Sequence, residues 1–90
     1  MDFFEVTGRQ IRDARNLLGL SPHELGTRSG VSRLTVRLWE ASGDEPPNAL
    51  APNLSRVLRY LQSEGVQFGD AGSVRLRAPG AGNQANGSLQ

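Results

Sequence analysis

Ninety residues with a net charge of +1 and no cysteine describe one small domain with neither a disulfide framework nor a cysteine-based metal site. His23 is the only histidine, which excludes a multi-histidine site, and no apolar run approaches the roughly 18 residues of a membrane span. The first residues lack the basic-then-apolar order of a signal peptide, so the expectation is a cytoplasmic protein with no membrane contact.

Met1–Val6 reads as a lead-in whose Phe3 or Phe4 packs on the domain. Thr7 caps a first helix of roughly Gly8 to Leu18, with Ile11, Ala14 and Leu18 on one face and Arg9, Arg12 and Asp13 outside it. Gly19 ends that helix by supplying a left-handed backbone. Ser21-Pro22-His23-Glu24 is a capping box with proline at the first helical position, and it opens a second helix over about Pro22–Ser29. Ser29-Gly30-Val31-Ser32 then gives a glycine stop and a second serine cap, and a third helix runs over about Arg33–Trp39. Leu25, Val31, Val36 and Trp39 fall where two crossing helices share a core. Two short helices joined by a tight turn are the layout that sets a helix in the major groove of DNA.

Ala41–Ala51, with Gly43, Pro46 and Pro47, reads as a loop. A fourth helix follows from roughly Pro52 to Glu64, because proline is tolerated only in the first turn. Its apolar stripe is Leu54, Val57, Leu58 and Leu61, and Gly65 is its stop. Val66-Gln67-Phe68 and Ser73–Arg77 alternate on either side of Gly69–Gly72, the pattern of a small hairpin. Two strands alone are marginal in water, so the hairpin must lean on the helices or pair with a second subunit. Ala78–Gln90 is rich in Gly, Asn, Gln and Ala without apolar periodicity, and disorder is expected there. The fold class is therefore all-α, four short helices plus a small C-terminal β-hairpin. The chain divides into a lead-in (1–6), a helical domain (7–64), a hairpin extension (65–77) and a tail (78–90).

These residues carry a resemblance. The IRDARNLLGLS lead, the EL-G-x-x-S-GVS core and the V-x-x-WE ending resemble the Cro and λ-repressor-like helix-turn-helix proteins, also called the XRE family, over about Gly8 to Leu61. The resemblance implies a λ-repressor-like bundle. It also implies an ion pair between a first-helix arginine and the glutamate ending the third helix, here Arg15 and Glu40, in a structural role. The small second-helix residue that lets the third helix approach is usually alanine in this family and here is Gly26. That exchange costs up to ~1 kcal/mol of helix propensity while keeping the contact.

Base-reading positions of the family fall on Ser32, Arg33, Leu34 and Leu38, with Thr35 and Arg37 on the flanks. Arg33, at the start of the third helix, is the candidate for a guanine contact through O6 and N7. Ser32 and Thr35 suit a phosphate or base edge, and Arg37 and Arg28 suit backbone phosphate. Pro22 stands where the family often has a phosphate-holding glutamine. The loop after Glu40 is longer than the family's usual Glu-x-Gly and carries Asp44 and Glu45 near where DNA would pass. Leu34 and Leu38, at i and i+4, admit three readings: contacts with thymine methyl groups, an apolar patch for a protein, or partial burial against the long loop.

Six arginines (Arg9, Arg12, Arg15, Arg28, Arg33 and Arg37) face three acids (Asp13, Glu24 and Glu40) between Gly8 and Glu40, and the whole chain contains no lysine. Arginine suits phosphate and guanine, although codon bias explains the chain-wide pattern equally well. No paired carboxylates and no activated serine or threonine indicate an enzyme, and no cofactor or metal is implied. The function expected is sequence-specific binding of double-stranded DNA by a small transcriptional regulator, a repressor, that reads the major groove with residues 33–39 as a homodimer. The alternative is a protein-interaction module on the same fold, such as the antitoxin of a toxin–antitoxin pair, with a toxin or another regulator as partner.

Overall fold

A computed structural model of the chain describes residues 6–77. Phe3 and Phe4, one of which is expected to pack on the domain, and Ala78–Gln90, expected to be disordered, lie outside the described residues. The order is α1 (Gly8–Leu17), α2 (Pro22–Ser29), α3 (Arg33–Glu40), α4 (Ala51–Ser63), β1 (Val66–Phe68) and β2 (Val74–Leu76).

Local sequence sets the helix ends. Thr7 and Gln10 form a reciprocal cap at the start of α1: the Gln10 N–H donates to Thr7 Oγ1 at 3.2 Å, and the Thr7 N–H donates to Gln10 Oε1 at 3.0 Å. Ser21 and Glu24 do the same for α2, at 3.0 and 2.8 Å. Ser32 caps α3 by accepting from the Thr35 N–H at 3.0 Å. Helix α1 stops at Leu17, with Leu18 as its cap and Gly19 left-handed at φ 70°. Helix α4 begins one residue before the position read from sequence. Pro52 stands second in the first turn, where its missing N–H is as harmless as at the first position.

One core joins every element. Val6, Ile11 and Ala14 meet Leu25, Val36, Trp39, Val57, Leu61 and Val66, all buried, with Val31, Leu54 and Leu58 packed against them. Burying a residue of this size contributes about 1.5–3 kcal/mol, which is how short helices of eight to thirteen residues persist.

The strands pair antiparallel in the register Val66↔Leu76, Gln67↔Arg75 and Phe68↔Val74. Val66, Phe68 and Val74 thereby share the face that meets the core, while Gln67 and Arg75 face away, with Arg75 Nε donating to Gln67 Oε1 at 3.1 Å. Strand β2 packs on α1 and β1 on α4, and Gln10 Nε2 donates to the Ser73 carbonyl at 3.4 Å. The support that a two-stranded hairpin needs is thus supplied by the helices.

The α3–α4 loop returns to α1. The Gly8 and Arg9 N–H groups, left over by the Thr7 cap, donate to the carbonyls of Glu45 (3.2 Å) and Gly43 (2.8 Å). Ser42 Oγ donates to the Trp39 carbonyl at 2.7 Å. Among the described residues no helix is long and apolar enough to cross a membrane.

Candidate nucleic-acid interface

The turn between α2 and α3 determines how α3 is presented. Gly30 takes the left-handed backbone at φ 85°, and the Gly30 and Val31 N–H groups both donate to the Gly26 carbonyl, at 2.8 and 2.9 Å. A Cβ on Gly26 would stand 2.6 Å from the Val31 carbonyl oxygen. The turn has closed further onto α2 than an alanine would permit, so glycine here tightens the contact rather than merely preserving it.

The two ends of α3 are held differently. At its C-terminus Arg15 Nε and Nη2 donate to Glu40 Oε2 and Oε1 at 2.7 and 2.8 Å, and Arg15 Nη1 donates to the Leu20 carbonyl at 2.8 Å. The side chains are 13% and 10% exposed. The hydrogen bond to Glu40 outweighs burial and pushes the Arg15 guanidinium above its ordinary range, so it stays charged. At the N-terminus the Ser32 and Thr35 hydroxyls lie 2.9 Å apart, engaged with each other and with the cap.

Between these ends α3 has two faces. Val36 and Trp39 are buried in the core. Arg33, Leu34, Arg37 and Leu38 point outward, with Leu34 65% and Leu38 63% exposed. The structure therefore brings Ser32, Arg33, Leu34, Thr35, Arg37 and Leu38 onto one stretch of helix. Arg28 is turned elsewhere: its Nη1 donates to the Tyr60 hydroxyl of α4 at 3.4 Å.

The long loop does not cover the leucines. Leu38 borders a groove of about 210 Å³ with Thr35, Trp39, Asn48, Ala49, Leu50 and Asn53, yet it remains open to solvent. Leu50, Asn48 and Asn53 were not candidates in the sequence. The signal that could have found them is the start of α4, where Leu50 occupies the cap position and no side chain caps the helix. The loop is bonded to α1 through one acidic side chain and backbone carbonyls. Asp44 pairs with Arg9, and the Glu45 carbonyl caps α1, so this part of the loop is tied to the first turn of α1. A second, more open depression of about 680 Å³ lies on the hairpin and is lined by exposed Gln62, Gln67, Arg75 and Arg77.

The α2 N-terminus is occupied by its own side chains. The Ser21 N–H holds the Glu24 carboxyl below the usual glutamate range, so an ionised carboxylate sits where a phosphate would otherwise approach. A group whose folded pKa is depressed contributes stability above its unfolded pKa and loses it as pH falls through the folded value. Glu24→Gln is therefore expected to be less stable than the parent at pH 7. Urea melts at stepped pH should show the gap closing as pH drops below the ordinary value of 4.5.

Among the described residues no group of three or more His, Cys, Asp or Glu side chains is arranged to hold a metal ion. The family model described as Helix-turn-helix matches residues 11–61, more than half of the chain, from the α1 core residue Ile11 to the α4 core residue Leu61. No curated protein matches the chain.

Proposed function

Because this chain belongs to the Cro and λ-repressor-like helix-turn-helix family of DNA-binding transcription regulators, we propose that it is a sequence-specific repressor that lays α3 in the major groove of duplex DNA. The observation that carries the reading is the outer face of α3. Arg33 and Arg37 are exposed there and have no salt-bridge partner among the described residues, while the opposite face is buried and the C-terminal end is anchored through Arg15 and Glu40. An exposed, unpaired cationic ridge on a rigidly seated helix suits a polyanion.

Arg33 opens α3, where side chains reach deepest into the groove, and its role in this reading is to bond guanine O6 and N7. Arg37, one turn on, meets backbone phosphate, and Ser32 and Thr35 orient the start of the helix. A single helix-turn-helix buries a modest area, so useful affinity calls for a homodimer on a pseudo-palindrome with half-sites about one helical turn apart. Repression follows from occlusion of the occupied site.

Enrichment of a randomised duplex pool on the purified chain at near-physiological salt tests this directly. A palindromic consensus is the expected result. Weak, salt-labile retention without a consensus would reduce the interaction to background phosphate attraction and overturn the reading. On the consensus, Arg33→Ala is expected to lose about 1–3 kcal/mol of discrimination at one base pair. Arg37→Ala should weaken all sequences alike and flatten the salt slope by about one unit. Fluorescence anisotropy across a salt series separates the two.

The exposed leucines support a second reading, an antitoxin-like interaction module. Leu34, Leu38 and Leu50 are 65%, 63% and 72% exposed, an apolar surface that suits a protein partner. In that reading the pool yields no consensus.

A further inference from the structure

We propose that α3 reads A·T pairs from the thymine side, with Leu34 and Leu38 packing on thymine 5-methyl groups. The inference rests on the DNA-binding reading above and assigns its base preference.

The argument comes from what α3 has available. Its outward residues are Arg33, Leu34, Arg37 and Leu38. Arginine offers only donors, which suit the two acceptors of guanine. The bidentate adenine readers, asparagine and glutamine, are absent from α3, and so is any free acceptor for cytosine, because Glu40 is consumed by Arg15. The hydroxyls of Ser32 and Thr35 are held by each other and by the helix cap. Adenine N7 and thymine O4 accept from arginine as guanine does, so the feature by which α3 can distinguish an A·T pair is the methyl group of thymine, the one apolar feature of the major groove.

Leu34 and Leu38 match that feature in position and exposure. They lie one turn apart on the same side of the helix and are 65% and 63% exposed, so neither is committed to the core. They alternate with Arg33 and Arg37, which have no acidic partner among the described residues. Arg33 and Arg37, also i and i+4, form a cationic strip parallel to the apolar one, and the two strips side by side complement a groove with anionic backbone at its edge and methyl groups in its floor. Of the two loop acids, Asp44 is paired with Arg9 at the first turn of α1.

The test uses the full chain and the consensus duplex recovered from the pool. Thymine is replaced by uracil at one position at a time, which removes a methyl group and changes neither pairing nor backbone. At the contacted positions affinity should fall about fourfold per methyl removed, the worth of one buried carbon. The uracil penalty at one contacted position should vanish in Leu34→Ala, and at another in Leu38→Ala. Both leucines are exposed, so both variants fold, and an unchanged circular dichroism melt confirms it.

A consensus bound equally well with thymine or uracil at every position overturns the inference and leaves the DNA-binding reading intact. A uracil penalty that persists in both alanine variants overturns the assignment to these leucines. If the pool gives no consensus, the DNA-binding reading itself fails, the inference falls with it, and the strip is left to a protein partner.

Discussion

Arg15→Ala is expected to cost about 3–5 kcal/mol of folding stability, because it strands a nearly buried carboxylate rather than merely deleting a contact. Glu40 is 10% exposed and receives both of its strong hydrogen bonds from this one guanidinium. The same substitution removes the donor from the Leu20 carbonyl. For a domain of this size each kcal/mol moves the melting temperature by roughly 4–8 °C, so the fall should be at least about 12 °C. Arg15→Lys keeps the charge but cannot span two carboxylate oxygens and a carbonyl at once, and it should recover only part of the loss. The double variant Arg15→Met, Glu40→Leu should be far more stable than Arg15→Ala, since removing both charges leaves nothing stranded. A single variant that melts within a few degrees of the parent would show that the pair does not secure α3.

The pair also bears on recognition. Glu40 is the last residue of α3 and Arg15 belongs to α1, so their two parallel hydrogen bonds fix the end of the helix whose other residues face outward. Losing the pair frees that end to pivot about the Gly26 contact. Affinity for a consensus duplex should then drop even where enough protein remains folded, because groove contacts depend on placement to within a fraction of an ångström.

What the sequence disclosed and what it withheld divide along one physical line. Side chains that act on their own neighbourhood were legible. Ser21 and Glu24, three apart, gave the α2 cap, Gly30 gave its left-handed stop, and Val36 and Trp39 gave the inner face of α3. The four helices and the hairpin followed from such signals to within one residue at their ends. Half of the α1 cap was missed: Thr7 was evident, but Gln10 was not read as its partner, although Thr-x-x-Gln is the same capping-box spacing as Ser21 and Glu24. The return of the α3–α4 loop to α1 was hidden for a different reason. It is made by backbone N–H and C=O groups, which every residue carries, so nothing in the sequence pointed to the pairing of Asp44 with Arg9. The exposure of Leu34 and Leu38 was a choice between three readings that only tertiary structure could narrow. The loop beside Leu38 leaves it open, and burial against that loop drops out.

Gly8 shows how a backbone contact can depend on a side chain that is not there, and Gly8→Ala carries the second-largest expected effect, about 2–4 kcal/mol. A Cβ at this position would fall inside contact distance of both the Trp39 carbonyl oxygen and Ser42 Oγ, and 3.2 Å from the Glu40 carbonyl oxygen. Serine can rotate away, but the Trp39 and Glu40 carbonyls belong to the last turn of α3 and cannot. Either α1 or the end of α3 must shift, and the bonds from Gly8 to Glu45 and from Arg9 to Gly43 go with it. Helix propensity alone would favour alanine by up to ~1 kcal/mol, so the sign of the result decides between a helix-start reading of Gly8 and a close-approach reading. Urea denaturation of Gly8→Ala, alone and combined with Ser42→Gly, separates the obstructions. Only slight recovery is expected in the double variant, since the carbonyls remain. Full recovery would place the conflict at the hydroxyl, and a stabilised single variant would mean that α1 and the end of α3 are not in close contact at Gly8.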